Sequence, residues 1–318
     1  MEETEKSKPK SKEKSTFVIW AEFIPFFILY KFVRILPLKV AYFLSRQLFK
    51  ILFILDKRHR TRAIQHLIHA GVAKDHEEAL GIAWQSYRHF SMLLIESFKM
   101  DQHLDVDKIP CKGSESAIKD VCDPILNEGN RNINVIIVTA HYGNWELAGP
   151  TWVKKFGIPM VSIMRPFANP LIGKYILRNR ETGGHSCVPK SGGIRGMLKA
   201  LRNGSTVAIL ADQHASRNEG VETIFFGQPC RTHASPAMLH LKTGVPIMPE
   251  ITRRCGDNFD FEIVAGDLIR YTPTGDKEKD IQTITQMYTT ELEKLISKDP
   301  SQWLWAHRRW LNINRKHK

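Results

Sequence analysis

The chain has no Cys-x-x-Cys pair, no Walker A loop and no complete Gly-x-Ser-x-Gly elbow, and each absence removes a class of function. Its five cysteines, Cys111, Cys122, Cys187, Cys230 and Cys255, are odd in number and scattered. That argues against a disulfide scaffold or zinc knuckle and fits thiols kept reduced. Ser191-Gly192-Gly193-Ile194-Arg195-Gly196 misses the dinucleotide-binding loop at its first position,. Gly184-His185-Ser186-Cys187-Val188 fails the serine-hydrolase elbow at its last,. His66 and His69 stand three apart with no acidic or cysteine partner, so they read as surface or core histidines and no metal site is expected,. There is no internal repeat, and the acidic start without a small-residue cleavage site argues against a secretory signal,.

Charge, by contrast, is abundant and one-sided. The 318 residues carry 46 Lys plus Arg against 33 Asp plus Glu, a net +13. That balance suits a polyanionic partner: nucleic acid, an anionic bilayer face, a phosphorylated lipid or an acidic carrier protein. Residues 1–15 are polar and Lys-rich and are expected to be a disordered basic tail,. Residues 16–56 hold an apolar stretch from Phe17 to Tyr30, interrupted by Glu22 and Pro25, and a second from Ile35 to Leu55 dotted with Lys39, Arg46 and Lys50. The first is short for a membrane span. Basic clusters on both sides, Lys6 to Lys14 and Lys57 to Arg62, favour a helix lying in or dipping into a bilayer face,. A buried amphipathic helix is the alternative.

Residues 57–318 are expected to form an α/β domain. From Arg62 to Met100 apolar residues recur every three or four positions, a helical layer,. Beyond Pro110 strands and helices alternate. Strands are expected near Val135–Thr139, Pro159–Met164, Val207–Ala211, Pro246–Thr252 and Phe259–Val264. Helices are expected over Glu146–Phe156, Asn169–Arg180, Gly192–Arg202, Ala234–Thr243 and Lys277–Ser297. The fold class is therefore α/β: a largely parallel sheet flanked by helices, with an N-terminal membrane-associated helix and helical layer. In such sheets sites form beyond the carboxyl ends of strands. His141, Arg165 and Asp212 each fall one to three residues past an expected strand.

The most informative stretch is His141-Tyr142-Gly143-Asn144-Trp145-Glu146. On one continuous helix His141 and Glu146 would point about 140° apart. They converge only if the histidine sits in a turn and the glutamate in the first turn of the next helix, with Gly143 as the turn and Asn144 as candidate N-cap. A carboxylate that fixes the imidazole tautomer makes a general base for an alcohol, the chemistry of acyl transfer to a hydroxyl. Glu146 is the expected orienter. Gly143 and Asn144 amides, or Arg165, are candidate donors to the tetrahedral oxyanion. Asp212 and Gln213 either position the acceptor or Arg165, or merely end a strand.

This motif resembles the HX4(D/E) signature of glycerolipid-type acyltransferases, and its surroundings are similar to the lipid A late acyltransferases. Arg165-Pro166 with Asn169-Pro170-Leu171 resembles that family's second block, and Ala211-Asp212-Gln213 its third. Phe225-Phe226-Gly227, Thr232 and Pro236-Ala237 resemble a fourth. Gln302 to Trp310 is similar to the closing segment. The resemblance implies transfer of a fatty acyl chain from acyl carrier protein or acyl-CoA to a glycolipid hydroxyl, at the cytoplasmic face of a bacterial inner membrane, without cofactor. It ties Arg165 to substrate phosphate or to the catalytic glutamate. A lysophospholipid or other glycolipid acceptor would show the same blocks. Trp303, Trp305 and Trp310 among His307, Arg308 and Arg309 suit nucleic acid, a membrane interface or plain core packing,. Arg195, Lys199 and Arg202 form a candidate basic helix face,. The rival reading is a basic binding protein without chemistry; nucleic acid is not expected as partner.

Overall fold

The computed structural model describes residues 14–164, 167–181, 185–189 and 192–311. All but the last two residues of the expected N-terminal tail lie outside them, as do Arg165 and Ser191.

The strands are β1 (Cys111–Gly113), β2 (Ile136–Thr139), β3 (Met160–Met164), β4 (His185–Pro189), β5 (Thr206–Leu210), β6 (Gly220–Phe225), β7 (Gln228–His233), β8 (Ile247–Arg254) and β9 (Phe261–Ala265). Seven make one sheet in the order β1-β9-β8-β2-β5-β3-β4, and β6 and β7 form a separate hairpin. Every pairing in the large sheet is parallel except β8 with β9. Central β2 reads Ile-Ile-Val-Thr with every residue buried, the continuous apolar run of a strand covered on both faces,. Its neighbours β5 and β8 hold it in register, Thr139 beside Leu210 and Val138 beside Pro249.

Helices α1 (Thr16–Ile35), α2 (Leu38–Leu55), α3 (Lys57–His69) and α4 (His76–His103) form the N-terminal layer. Short turns α5 (Glu115–Ala117), α6 (Asp123–Leu126) and α7 (Ala148–Thr151) follow, then α8 (Pro170–Arg180), α9 (Gly193–Arg202), α10 (Ser235–Thr243) and α11 (Lys277–Ser297). α1 runs through Pro25 and past Tyr30 for 20 residues, longer than its apolar run suggested. Ser15 caps its start by accepting from the Val18 amide, and Pro37 lies just past its end. Its one acidic residue, Glu22, pairs with Lys14 and accepts from Asn169 Nδ2 at 3.0 Å. The helix is long and apolar enough to cross a membrane,.

α1 and α2 both pack on α4 through Tyr30, Val33, Ala41, Tyr42, Met92 and Phe98. Their other faces leave Trp20, Ile24, Ile28 and Phe32 of α1 and Phe43, Leu48, Ile51 and Leu55 of α2 exposed. The C-terminal tryptophans instead enter the core: Trp303, Trp305 and Trp310 pack with Phe225 and Phe226. Arg195, Lys199 and Arg202 are exposed on α9. The short strands β1 and β4 and the β6–β7 hairpin carried too little apolar alternation to be read in the sequence.

Candidate active site

His141 lies two residues past the end of β2, and the turn it occupies is clamped from two sides. Gly143 has φ +54°, and a Cβ there would stand 2.0 Å from the Thr252 carbonyl oxygen of β8. Only glycine tolerates both demands. The Gly143 amide donates to Gln302 O at 3.1 Å and the Asn144 amide to Thr252 O at 3.1 Å. On the other side, the Leu304 amide donates to His141 O at 3.1 Å. The closing segment thus forms one wall of the turn.

The imidazole meets Asp212, two residues past β5, the strand beside β2. His141 Nδ1 is 2.9 Å from Asp212 Oδ1, and the His141 amide donates to Asp212 Oδ2 at 2.9 Å. Trp303 Nε1 donates to that same Oδ2 at 2.8 Å. Burial works to raise the Asp212 carboxyl, but the imidazole and these donors outweigh it and hold it at about 2,. An ionised carboxylate only accepts, so the proton belongs on His141 Nδ1 and the lone pair on Nε2. Burial likewise works to lower the histidine, while the Asp212 charge and hydrogen bond, with the Glu146 charge, raise it above the ordinary value. The Gln213 amide nitrogen lies 3.3 Å from both ring nitrogens, and the Trp145 ring lies edge-on with centroids 5.0 Å apart.

Three expectations change. Glu146 was expected to orient the ring, but the hydrogen bond comes from Asp212; Glu146 accepts from Trp145 Nε1 at 2.9 Å and acts on His141 through its charge. Asp212 was expected to position substrate or Arg165, yet its side chain is only 2% exposed and both oxygens are taken. Gly143 and Asn144 were expected to bind substrate or the oxyanion, but both amides are spent on Gln302 and Thr252. Asn144 is fully buried and makes no side-chain cap; its Nδ2 donates to Glu96 Oε2 at 2.7 Å. Arg165 lies outside the described residues.

Glu96 was not legible as a site residue. This fully buried carboxylate of α4 is bound by the Arg254 guanidinium of β8 and by Tyr42 Oη of α2 at 2.7 Å, besides Asn144. The His141 turn is therefore tied through one buried ion pair to a helix of the N-terminal layer. No periodicity marks residues so far apart in sequence.

Beside the turn opens a cavity of about 420 Å³ lined by Phe49, Tyr87, Phe90, Leu93, Leu94, Trp145 and Leu304, with Glu146 on its wall. Its walls are overwhelmingly apolar, the lining a hydrocarbon chain requires. A smaller cavity of about 70 Å³ shares Glu146 and reaches Ser162 and His185, which lie 3.0 Å apart.

The described residues thus form an α/β protein with a strand-end histidine, a buried carboxylate behind it and an apolar cavity beside it. The chain belongs to the bacterial lipid A biosynthesis acyltransferase family, whose model matches residues 5–312. It is similar to the phosphatidylinositol mannoside acyltransferase of Mycobacterium tuberculosis, 28% identical over 183 residues covering 56% of this chain and 55% of that relative. The lipid A biosynthesis lauroyltransferase of Escherichia coli is 26% identical over 179 residues, 55% of this chain and 56% of that relative. The lipid A biosynthesis acyltransferase of Haemophilus influenzae is 25% identical over 185 residues, 57% of each chain. The matches span somewhat over half the length of these relatives.

Proposed function

We propose that the chain is a membrane-associated O-acyltransferase that moves a fatty acyl group from a thioester donor to a hydroxyl of a lipid A-type glycolipid precursor. The observation that carries this reading is the His141–Asp212 pair, 2.9 Å apart beside an apolar cavity. His141 Nε2 takes the proton of the acceptor hydroxyl as its oxygen attacks the thioester carbonyl. Asp212 holds the tautomer and stabilises the imidazolium that forms. The tetrahedral intermediate collapses to the ester, and the C–S bond breaks. The departing thiolate takes the proton from His141, leaving a free thiol. The thioester is already activated, so the step draws on no cofactor.

With the Gly143 and Asn144 amides committed, the Gln213 side-chain amide, 3.3 Å from both His141 ring nitrogens, is the donor we assign to the oxyanion,. Glu146 keeps imidazolium favourable by its charge. The cavity takes the acyl chain. Acyl carrier protein is the donor we favour, with acyl-CoA the alternative, because an exposed basic face such as Arg195, Lys199 and Arg202 suits an acidic carrier,. The exposed apolar faces of α1 and α2 support membrane association, and the cytoplasmic side of a bacterial inner membrane is the location proposed. A mannosylated phosphatidylinositol acceptor is the second reading, favoured by the similarity to the mycobacterial enzyme.

The test incubates purified protein with labelled acyl-carrier and acyl-CoA donors against glycolipid and lysophospholipid acceptors, with mass analysis of products. A new ester on a glycolipid hydroxyl, lost in His141→Ala, supports the proposal. Fatty acid released equally fast without acceptor would mark a thioesterase and refute it.

A further inference from the structure

α3 also contributes to a second recess, of about 630 Å³, whose walls include Lys57, Arg58, Thr61, Arg62, His66 and Arg308. Four of these six are permanent cations. The nearby carboxylate is Asp56, and it is already used: it accepts from the His59 amide at 3.1 Å and meets His59 Nδ1 at 2.7 Å. Arg60, between Arg58 and Arg62 in sequence, turns away and donates to the carbonyls of Phe53 and Ile54. Arg62 is part-buried and donates to Ala306 O at 3.0 Å. Among the described residues Lys57, Arg58 and Arg308 make no ion pair or hydrogen bond through their side chains.

Lys57, Arg58 and Arg308 are exposed around half-buried Arg62, so four like charges converge on one recess and an anion that entered it would relieve their repulsion,. The strain is visible at Arg62, whose guanidinium is disfavoured by burial and by the Arg308 and Arg58 charges. Position narrows the anion. The apolar outer face of α2 ends at Leu55, two residues before Lys57, which puts the recess at the level of lipid headgroups once that face is in a bilayer,. His59 and Ala63, on the same helix, line the apolar cavity that holds Glu146. The basic recess and the apolar cavity thus share α3 as a common wall. Guanidiniums fork onto phosphate oxygens, and His66 is neutral because burial pushes it down to about 4,.

We propose that this recess is a phosphate-ester site that takes the headgroup phosphate of an anionic membrane lipid, one with no cation of its own beside that phosphate, holding the acceptor while its hydroxyl reaches His141. The role as acceptor site rests on the acyltransferase reading; the binding itself does not. The experiment measures binding of the full chain to phosphatidylcholine vesicles with and without phosphatidylinositol, and to CoA in solution. Arg58→Ala/Arg308→Ala leaves the Arg62–Ala306 contact intact, and Lys277→Ala/Lys279→Ala on α11 is the charge-matched control. With each cation at the surface contributing about fivefold, the recess variant should bind phosphatidylinositol vesicles about twenty-five-fold more weakly. It should bind pure phosphatidylcholine vesicles and CoA as the parent does, and the control should match the parent throughout. His141→Ala should also bind every vesicle normally, which separates this result from failure of the chemistry. Equal losses in recess and control variants, no loss in either, or a loss confined to CoA would overturn the proposal.

Discussion

The strand-end site and the α1–α2 pair handle exposed chemistry in opposite ways. Around His141 polar groups are spent on one another: Asp212 on the imidazole and Trp303, Asn144 on Glu96, the turn amides on β8 and the closing segment. On α1 and α2 apolar side chains such as Phe32, Phe43, Leu48 and Leu55 are left half or more exposed. Preorganisation needs the first arrangement, because a base must be aimed before substrate arrives. Docking on lipid needs the second, because apolar area must remain to be buried. Glu96 joins the two, touching Tyr42 on α2 and Asn144 in the His141 turn.

The comparison can be broken from either side. His141→Ala should remove general-base catalysis, a fall of about 10²- to 10⁴-fold in turnover, with vesicle binding and melting temperature held. Loss of vesicle binding in the same variant would show that the two regions are not separable. Asp212→Asn keeps the shape but not the charge and should cost about 10²-fold in kcat; a thermal melt alongside checks that the loss is chemical. Glu96→Gln leaves the buried Arg254 guanidinium without its counter-charge, at about 3 kcal/mol or more of stability by denaturant titration. If activity falls in Glu96→Gln even well below its melting point, the buried pair is setting the catalytic turn as well as the fold. Leu48→Ser should weaken vesicle association by about tenfold with stability unchanged, since that side chain packs on little of the protein,. A matching loss of stability would mean that the face is protein core.

The comparison also shows where sequence reasoning stops. The buried run before His141 and the aspartate after β5 were legible because parallel strands in a covered sheet are continuous apolar segments,. Lys277–Ser297 was legible to the residue, because its helical periodicity is long and uninterrupted,. Which carboxylate faces the imidazole was not. Glu146 is five residues from His141 and Asp212 seventy-one, and only the pairing of β2 with β5 makes the distant one the neighbour. The Glu96–Arg254 pair was silent for the same reason. The aromatic closing segment could equally have faced a membrane; burial of its tryptophans was decided by the hairpin they pack against.

Two histidines, His66 and His141, supply the sharpest contrast and the most direct test. His66, hydrogen-bonded to a carbonyl with no carboxylate on its ring, is held at about 4, while His141, against Asp212, is raised above the ordinary imidazole value. A general base works only when neutral, so kcat should rise with pH through the raised His141 pKa. Removing the Asp212 charge should move that limb toward lower pH. The measurement is the pH–rate profile of acyl transfer for the parent and Asp212→Asn. The account predicts an acid limb above that of free imidazole in the parent and a shift toward acid in the variant. A limb in the same place in both would contradict it.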